Sequence, residues 1–239
     1  MKVAVVGCGG IGYHLLDPLM RVLLAYPAEN IHVYFIDGKT ITPRNVNRQH
    51  LSAFIGRNKA DALAASAKAL IPPEYEEKLT VSSIPYYVAP EYLDCHPWLS
   101  EDEVHVFSGV DNNKTRMMLE NLLGRNKNLV FVSGGNDEFT GQAILWVRQK
   151  FQDVLPRPSH VDPDIAEEQN AGVAPYEVSC DAAPISLPQF PLVNRVVADA
   201  MVGLWWAYAK NKNTEINYTV IDILQPMVKP TKRRSLLTQ

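Results

Sequence analysis

The chain has 239 residues, of which 23 are Lys or Arg and 26 are Asp or Glu, so its formal net charge is −3. With 46% hydrophobic and 21% charged residues, the composition is that of a globular protein and excludes a disordered or fibrous chain. A charge balance this close to neutral disfavours broad electrostatic binding to nucleic acid or to an anionic membrane.

Short β-branched runs alternate with amphipathic segments over the first half of the chain. Strands are predicted at residues 2–6, 31–36, 79–84, 104–107 and 129–132, and helices at residues 11–25, 59–70 and 113–125. This alternation predicts an α/β fold: a doubly wound, Rossmann-like, mainly parallel sheet with right-handed crossovers. No targeting segment or membrane-length apolar run is visible, so we expect a cytoplasmic protein.

The pattern changes near Gly141. Residues 142–147 and 218–224 predict strands, residues 191–210 predict a long helix, and the proline-rich residues 156–191 predict a long crossover loop. The basic residues 226–239 are expected to form a disordered tail. We therefore expect one domain over residues 1–239, with a nucleotide-binding half (1–135) and a C-terminal extension (136–225).

A glycine-rich turn joins the first predicted strand to the first predicted helix. Its GxGxxG pattern is formed by Gly7, Gly9 and Gly12, with Gly10 between them. Glycines let the backbone approach a phosphate, and the helix N-terminus offers unpaired N–H donors. Asp37 closes the second strand, where an acid can accept hydrogen bonds from ribose hydroxyls. These features predict a nucleotide site, and on them alone an NAD-dependent oxidoreductase is the default interpretation.

Basic residues after Asp37 favour a triphosphate instead. Arg48 can donate to two phosphate oxygens, and Lys59, at the start of a predicted helix, adds a point charge. The pair Asp111-Asn112 follows a predicted strand at its carboxyl end, where open sheets bind ligands. The carboxylate of Asp111 could hold the Mg²⁺ that accompanies ATP.

At these residues the sequence resembles the ThiF/MoeB superfamily, the ubiquitin-activating-type adenylyltransferases. The matching pieces occur in order from residue 3 to about residue 150. They are the glycine turn, Asp37, the run Asn45-Val46-Asn47-Arg48-Gln49, Lys59, and Asp111-Asn112 with Arg116. The pairs Gly134-Gly135 and Gly141-Gln142 resemble the family's next element, where the sheet changes direction.

The resemblance implies a function for each half of the chain. ATP would bind at the glycine turn, and the C-terminal carboxylate of a ubiquitin-like or sulfur-carrier protein, typically ending in Gly-Gly, would be adenylated. Arg48, Lys59 and Asp111 with Mg²⁺ would be catalytic, and the nucleotide would be held by Gly7, Gly9, Gly10, Gly12, Asp37, Asn45, Gln49 and Asn112. Residues 136–225 would bind the carrier, in a homodimer, with no nucleic acid or membrane partner.

Cys180 is the remaining candidate for catalysis. In sulfur-carrier-activating members of the family, a cysteine in a similar loop-then-helix position forms a covalent link to the carrier, so the resemblance implies this role for Cys180. Glu177 and Asp181 flank it and disfavour a thiolate, so an unreactive loop thiol stays an alternative. The three cysteines form no CxxC pair, and we expect no zinc.

Three features depart from the family's pattern. Most members begin with a helix whose arginine reaches the ATP of the partner subunit, whereas here the first strand starts at Lys2, so Arg44, Arg57 or another chain would supply the charge. Zinc-binding CxxC pairs are missing, and Lys39 replaces an acid two positions after Asp37. The chain is thus expected to be a minimal member. The alternative is a non-catalytic nucleotide-binding subunit of a heterodimeric activating enzyme.

Overall fold

The computed structural model describes residues 1–45, 49, 51–89, 96, 98, 103–167, 190–212, 215–225 and 227–232. The strands are β1 (Lys2–Val6), β2 (Ile31–Ile36), β3 (Leu79–Ile84), β4 (Glu103–Ser108), β5 (Asn128–Asn136), β6 (Thr140–Gln149), β7 (Gln152–Leu155), β8 (Ile216–Asp222) and β9 (Met227–Lys232). The α-helices are α1 (Gly10–Ala25), α2 (Lys59–Ala69), α3 (Asn113–Leu123), α4 (Pro158–Val161), α5 (Asp164–Glu167) and α6 (Pro191–Asn211). None of these described helices combines the length and the hydropathy that a membrane span requires.

The strands form one sheet in the order β3-β2-β1-β4-β5-β6-β8-β9, and β7 pairs with β6 outside this path. The five strands from β3 to β5 are mutually parallel, whereas β6 to β9 pair antiparallel with their neighbours. The predicted doubly wound, Rossmann-like sheet is therefore confirmed. The chain winds outward from β1 to β3 and returns to β4, so the crevice between β1 and β4 is the point where such sheets bind ligands.

Both faces of the parallel strands are buried, as their nearly continuous hydrophobic runs indicate. Along β1, Val3 and Val5 belong to the core beneath α1, α2 and α6. The alternate residues Ala4 and Val6 belong to the core beneath α3. Because successive side chains point to opposite faces of a strand, one short run of apolar residues is fixed from both sides.

Helices α1 and α6 lie side by side and run in the same direction. Near their starts, a β-carbon on Gly10 would come within 2.6 Å of Asn194 Nδ2. Near their ends, the ring of Tyr26 lies 5.4 Å from that of Trp205. Both N-terminal ends therefore lie at the carboxyl edge of the parallel strands, beside the crevice between β1 and β4.

The C-terminal region differs from the prediction in two places. Residues 227–232 form β9, paired with β8, so the expectation of a disordered tail is wrong for them; a free strand edge supplies hydrogen-bond partners that a basic composition does not reveal. Strand β7 was not predicted, because the turn that joins it to β6 has no typical turn residues. Lys150 and Phe151 adopt φ 51° and 67° in this turn, at positions that usually hold Gly or Asn. Within the expected loop 156–191, α4 and α5 are helical, and residues 168–189 lie outside the described residues.

Candidate nucleotide-binding site

The glycine turn closes tightly on itself and on the end of β4. Gly7 adopts φ +85°, and its N–H donates to the Ile36 carbonyl at 2.9 Å. A β-carbon on Gly12 would lie 2.0 Å from the Gly7 carbonyl oxygen, and one on Gly109 would lie 3.1 Å from the Gly12 nitrogen. Only glycine at position 12 lets the helix start this close to the preceding strand.

The N-terminus of α1 is left open toward the crevice. Its N-cap residue, Gly9, provides no side-chain cap, and the first turn contains no acid. A β-carbon on Gly9 would meet nothing within 4 Å. The first amide groups of the helix therefore keep their hydrogen-bonding capacity and the positive end of the helix dipole for an anion.

Asp37 ties the glycine turn to the segment after β2. Its Oδ2 accepts from the Cys8 N–H at 2.8 Å, and its Oδ1 accepts from the Lys39 N–H at 2.7 Å. The residue is nearly buried, at 9% exposure. Each carboxylate oxygen has two acceptor positions, so these bonds leave capacity for the predicted ribose hydroxyl.

The Asn-x-x-Arg-Gln element contributes to positioning in its described part. Gln49 is buried, and its Nε2 donates to the Cys8 carbonyl at 2.8 Å. Asn45 accepts through Oδ1 from the Thr42 N–H at 2.9 Å. Gln49 thus holds the loop against the glycine turn, and Asn45 stabilises the turn within the loop. Arg48, predicted to contact phosphates, lies outside the described residues.

Lys59 begins α2 beside the same turn. Asn58 caps this helix, and the Lys59 N–H donates to the Lys39 carbonyl at 2.9 Å. The Lys59 side chain is largely buried, and its ammonium lies close enough to Cys8 to affect the pKa of that thiol. Burial, assisted by Asp37, raises the pKa of the Cys8 thiol well above its usual value, and the ammonium of Lys59 opposes that rise. A buried ammonium beside the glycine turn is suited to an anionic ligand.

Asp111 follows β4 on the other side of the crevice. Its Oδ2 lies 3.8 Å from Lys39 Nζ, and its Oδ1 accepts from Asn112 Nδ2 at 3.3 Å. Partial desolvation in the crevice opposes its ionisation, but the charge of Lys39, the bond from Asn112 and the charge of Lys59 outweigh this effect, so the pKa of Asp111 is lowered. Asn112 also accepts from the Thr115 N–H at 2.8 Å and so caps α3.

The described residues offer Mg²⁺ one carboxylate rather than a protein cage. No group of three or more His, Cys, Asp or Glu in this part of the chain could hold a metal ion. Asp111 is 54% exposed at its side chain. Mg²⁺ commonly binds through one carboxylate, phosphate oxygens and water, so Asp111 fits a metal that arrives with a nucleotide.

One residue that the sequence did not single out, Asn194, shapes the site. Asn194 is fully buried against Gly10, and neither of its amide atoms has a hydrogen-bond partner in the described structure. The signal that could have found Asn194 is its helical spacing, three and four residues before the buried Val197 and Ala198 of α6.

Arg116, one of the residues that carry the family resemblance, links the segment after β4 to the end of β5. Its Nη2 donates to the Val110 carbonyl at 3.0 Å and to the Gly134 carbonyl at 3.5 Å. The structure thus brings together the glycine turn, Asp37, Gln49, Lys59 and Asp111. Cys180 lies outside the described residues.

The chain resembles known proteins both in its sequence pattern and in its fold. The model of the ThiF family matches residues 1–230. The chain is similar in fold to PaaA, solved as its selenomethionine derivative (15% identity, TM-score 0.64, 98% of this chain and 64% of that one). It is also similar to E. coli MccB with selenomethionine MccA (18%, 0.65, 100% and 65%). A third similar structure is the microcin C7 biosynthetic enzyme MccB with N-formylated MccA (17%, 0.64, 100% and 66%). The chain spans just under two thirds of the length of these proteins, and no curated protein matches it.

Proposed function

Since the chain belongs to the ThiF family, we propose that it is an ATP-dependent adenylyltransferase that activates the C-terminal carboxylate of a protein or peptide. The observation that carries this proposal is the convergence at the crevice between β1 and β4. There the uncapped start of α1, the buried ammonium of Lys59 and the exposed carboxylate of Asp111 surround one opening. This combination suits a triphosphate with a divalent cation better than a dinucleotide.

The proposed reaction needs little acid–base chemistry from the protein. A carboxylate is ionised at neutral pH, so one of its oxygens attacks the α-phosphorus directly. The bond from that phosphorus to the bridging oxygen breaks, pyrophosphate leaves with the electron pair, and an acyl-adenylate remains. Lys59 and the N–H groups of α1 would neutralise the developing charge. Mg²⁺, held by Asp111 and phosphate oxygens, would add Lewis-acid stabilisation of the leaving group.

The substrate proposed first is a ubiquitin-like or sulfur-carrier protein with a glycine-type C-terminus, bound by residues 136–225. The MccB structures include MccA, which supports a second polypeptide as the class of substrate. After adenylation, the Cys180 thiolate would attack the acyl carbonyl, AMP would leave, and a thioester would form. We also propose a homodimer, in which the partner subunit could supply further positive charge.

The first experiment is calorimetric titration of Mg-ATP and, separately, NADH into the full chain and its Lys59→Ala variant. Binding of ATP alone, at least about tenfold weaker in the variant, is the expected result. Lys68→Ala is the matched control, because it removes the same charge from the exposed last turn of α2. NADH binding without ATP binding would overturn the proposal in favour of an oxidoreductase.

The second experiment measures pyrophosphate exchange into ATP with a carrier protein ending in Gly-Gly. We expect carrier-dependent exchange that falls at least about a hundredfold in Lys59→Ala and in Asp111→Ala. An unchanged rate in both variants would remove these residues from the site. ATP binding without exchange would instead identify a non-catalytic subunit of a heterodimer. Exchange retained in Cys180→Ser, with loss of the covalent adduct, would assign the thioester step to Cys180.

A further inference from the structure

The backbone of Lys39 is fixed inside the proposed nucleotide site. Its N–H donates to Asp37 Oδ1 at 2.7 Å, and its carbonyl accepts from the Lys59 N–H at 2.9 Å. The residue is therefore held between the acid expected at the ribose and the first turn of α2. Any movement of its side chain starts from a fixed point at the rim of the crevice.

The side chain of Lys39 reaches across the crevice to Asp111. Nζ lies 3.8 Å from Asp111 Oδ2, and the two side chains are 40% and 54% exposed. This distance is too long for a hydrogen bond. An exposed ion pair of this kind contributes little to stability, so the folded state alone gives no reason for a lysine here. Within the described part of the site, the ammonium stands at the carboxylate that we assign to Mg²⁺.

We propose that Lys39 is a further nucleotide-binding residue, whose ammonium leaves Asp111 and binds the phosphate chain when ATP enters. This inference rests on the proposed function. A divalent cation at Asp111 would repel the ammonium, whereas the oxygens of a triphosphate beside it would attract it. Lys39 and Lys59 then contact the phosphates from adjoining segments, and Asp111 is released for the metal.

The role proposed for Lys39 is tested most directly by ATP binding in the absence of metal. Without metal, Lys39 stabilises bound ATP, so its removal weakens ATP binding. If the Lys39–Asp111 pair had a purely structural role, removal of Lys39 would leave metal-free ATP binding unaltered.

The test is calorimetric titration of ATP into the full chain in EDTA and at increasing Mg²⁺, with adenosine titrated in parallel. In Lys39→Ala and Lys39→Gln we expect metal-free ATP binding about tenfold weaker, as for one lost charge-assisted hydrogen bond, and unchanged adenosine binding. Lys39→Arg should retain most of the affinity. Lys68→Ala, which removes one exposed charge from α2, should stay within about twofold of wild type.

The outcomes separate this inference from the proposed function. If the wild type binds ATP in neither condition, the adenylyltransferase proposal fails. If the wild type binds ATP and both charge-free variants bind it equally well in EDTA, the assignment of Lys39 is wrong and the proposed function stands. The two charge-free variants guard against a single misfolded protein, and thermal unfolding of each provides the check on folding.

Discussion

The amide group of Asn194, near the start of α6, lies directly against Gly10 at the start of α1. A β-carbon on Gly10 would come within 2.6 Å of Asn194 Nδ2 and 2.7 Å of its Oδ1. On the other side of the turn, a β-carbon on Gly9 would meet nothing within 4 Å. The glycine turn is thus open toward the crevice and closed toward α6, because the two adjacent glycines face different surroundings.

This contact predicts that Gly10→Ala destabilises the protein by about 1–3 kcal/mol, since the new methyl group overpacks the Asn194 amide. Gly9→Ala is the matched control, and we expect its free energy of unfolding to change by less than about 1 kcal/mol. The double variant Gly10→Ala/Asn194→Ala should recover much of the loss. Urea denaturation of the wild type, Gly10→Ala, Asn194→Ala and the double variant measures the coupling. Strictly additive effects would show that the two residues are not in contact.

Asp37 is expected to support both the fold and nucleoside binding. In Asp37→Ala the Cys8 and Lys39 N–H groups lose their acceptor, which should cost about 1–3 kcal/mol of unfolding free energy. Asp37→Asn keeps one acceptor oxygen, so its free energy of unfolding should fall less than that of Asp37→Ala. Adenosine titration should give affinities in the order wild type, Asn, Ala. Equal affinities would show that Asp37 acts on the turn alone.

Glu120, which lies on α3 away from the crevice, is expected to make the stability of the protein depend on pH. It is buried on α3 and accepts from the Ser159 N–H at 2.8 Å and Oγ at 2.7 Å; burial raises its pKa despite these bonds. Its contribution to stability is therefore complete below its ordinary pKa and is lost as pH rises through the higher folded value. Glu120→Gln should gain stability relative to wild type between about pH 4 and neutrality. Chemical denaturation across this range measures it, and a constant difference would contradict the raised pKa.

Cys8 should be unreactive in the folded protein. Burial and the neighbouring Asp37 raise the pKa of its thiol, so it stays protonated at neutral pH. In a Cys95→Ser/Cys180→Ser variant, Ellman's reagent should modify Cys8 at least about a hundredfold more slowly in the native than in the unfolded chain. Rapid native labelling would contradict this assignment, and would make Cys8 a competitor of Cys180 for the covalent step.

Much of the fold could be predicted because its signals are local. Neighbouring residues determine the strand–turn–helix around Gly7 and the alternation of apolar runs up to residue 132. Strands β1 to β5 form where these local patterns predict strands. Strands β7 and β9 could not be predicted. Strand β7 follows a turn without Gly or Asn. Strand β9 depends on the free edge of β8, which no local pattern encodes.

The site divides in the same way. By itself the sequence determined that a glycine turn, an acid at the end of β2, a lysine opening α2 and an acid after β4 would meet, because parallel strands bring their carboxyl ends to one edge. Only the tertiary structure decided that Lys39 stands 3.8 Å from Asp111, that Gln49 donates to the Cys8 carbonyl, and that Asn194 closes one side of the turn. These contacts join segments far apart in the chain, and their distances follow from how helices and loops pack on the sheet. Periodicity along the sequence carries no such information.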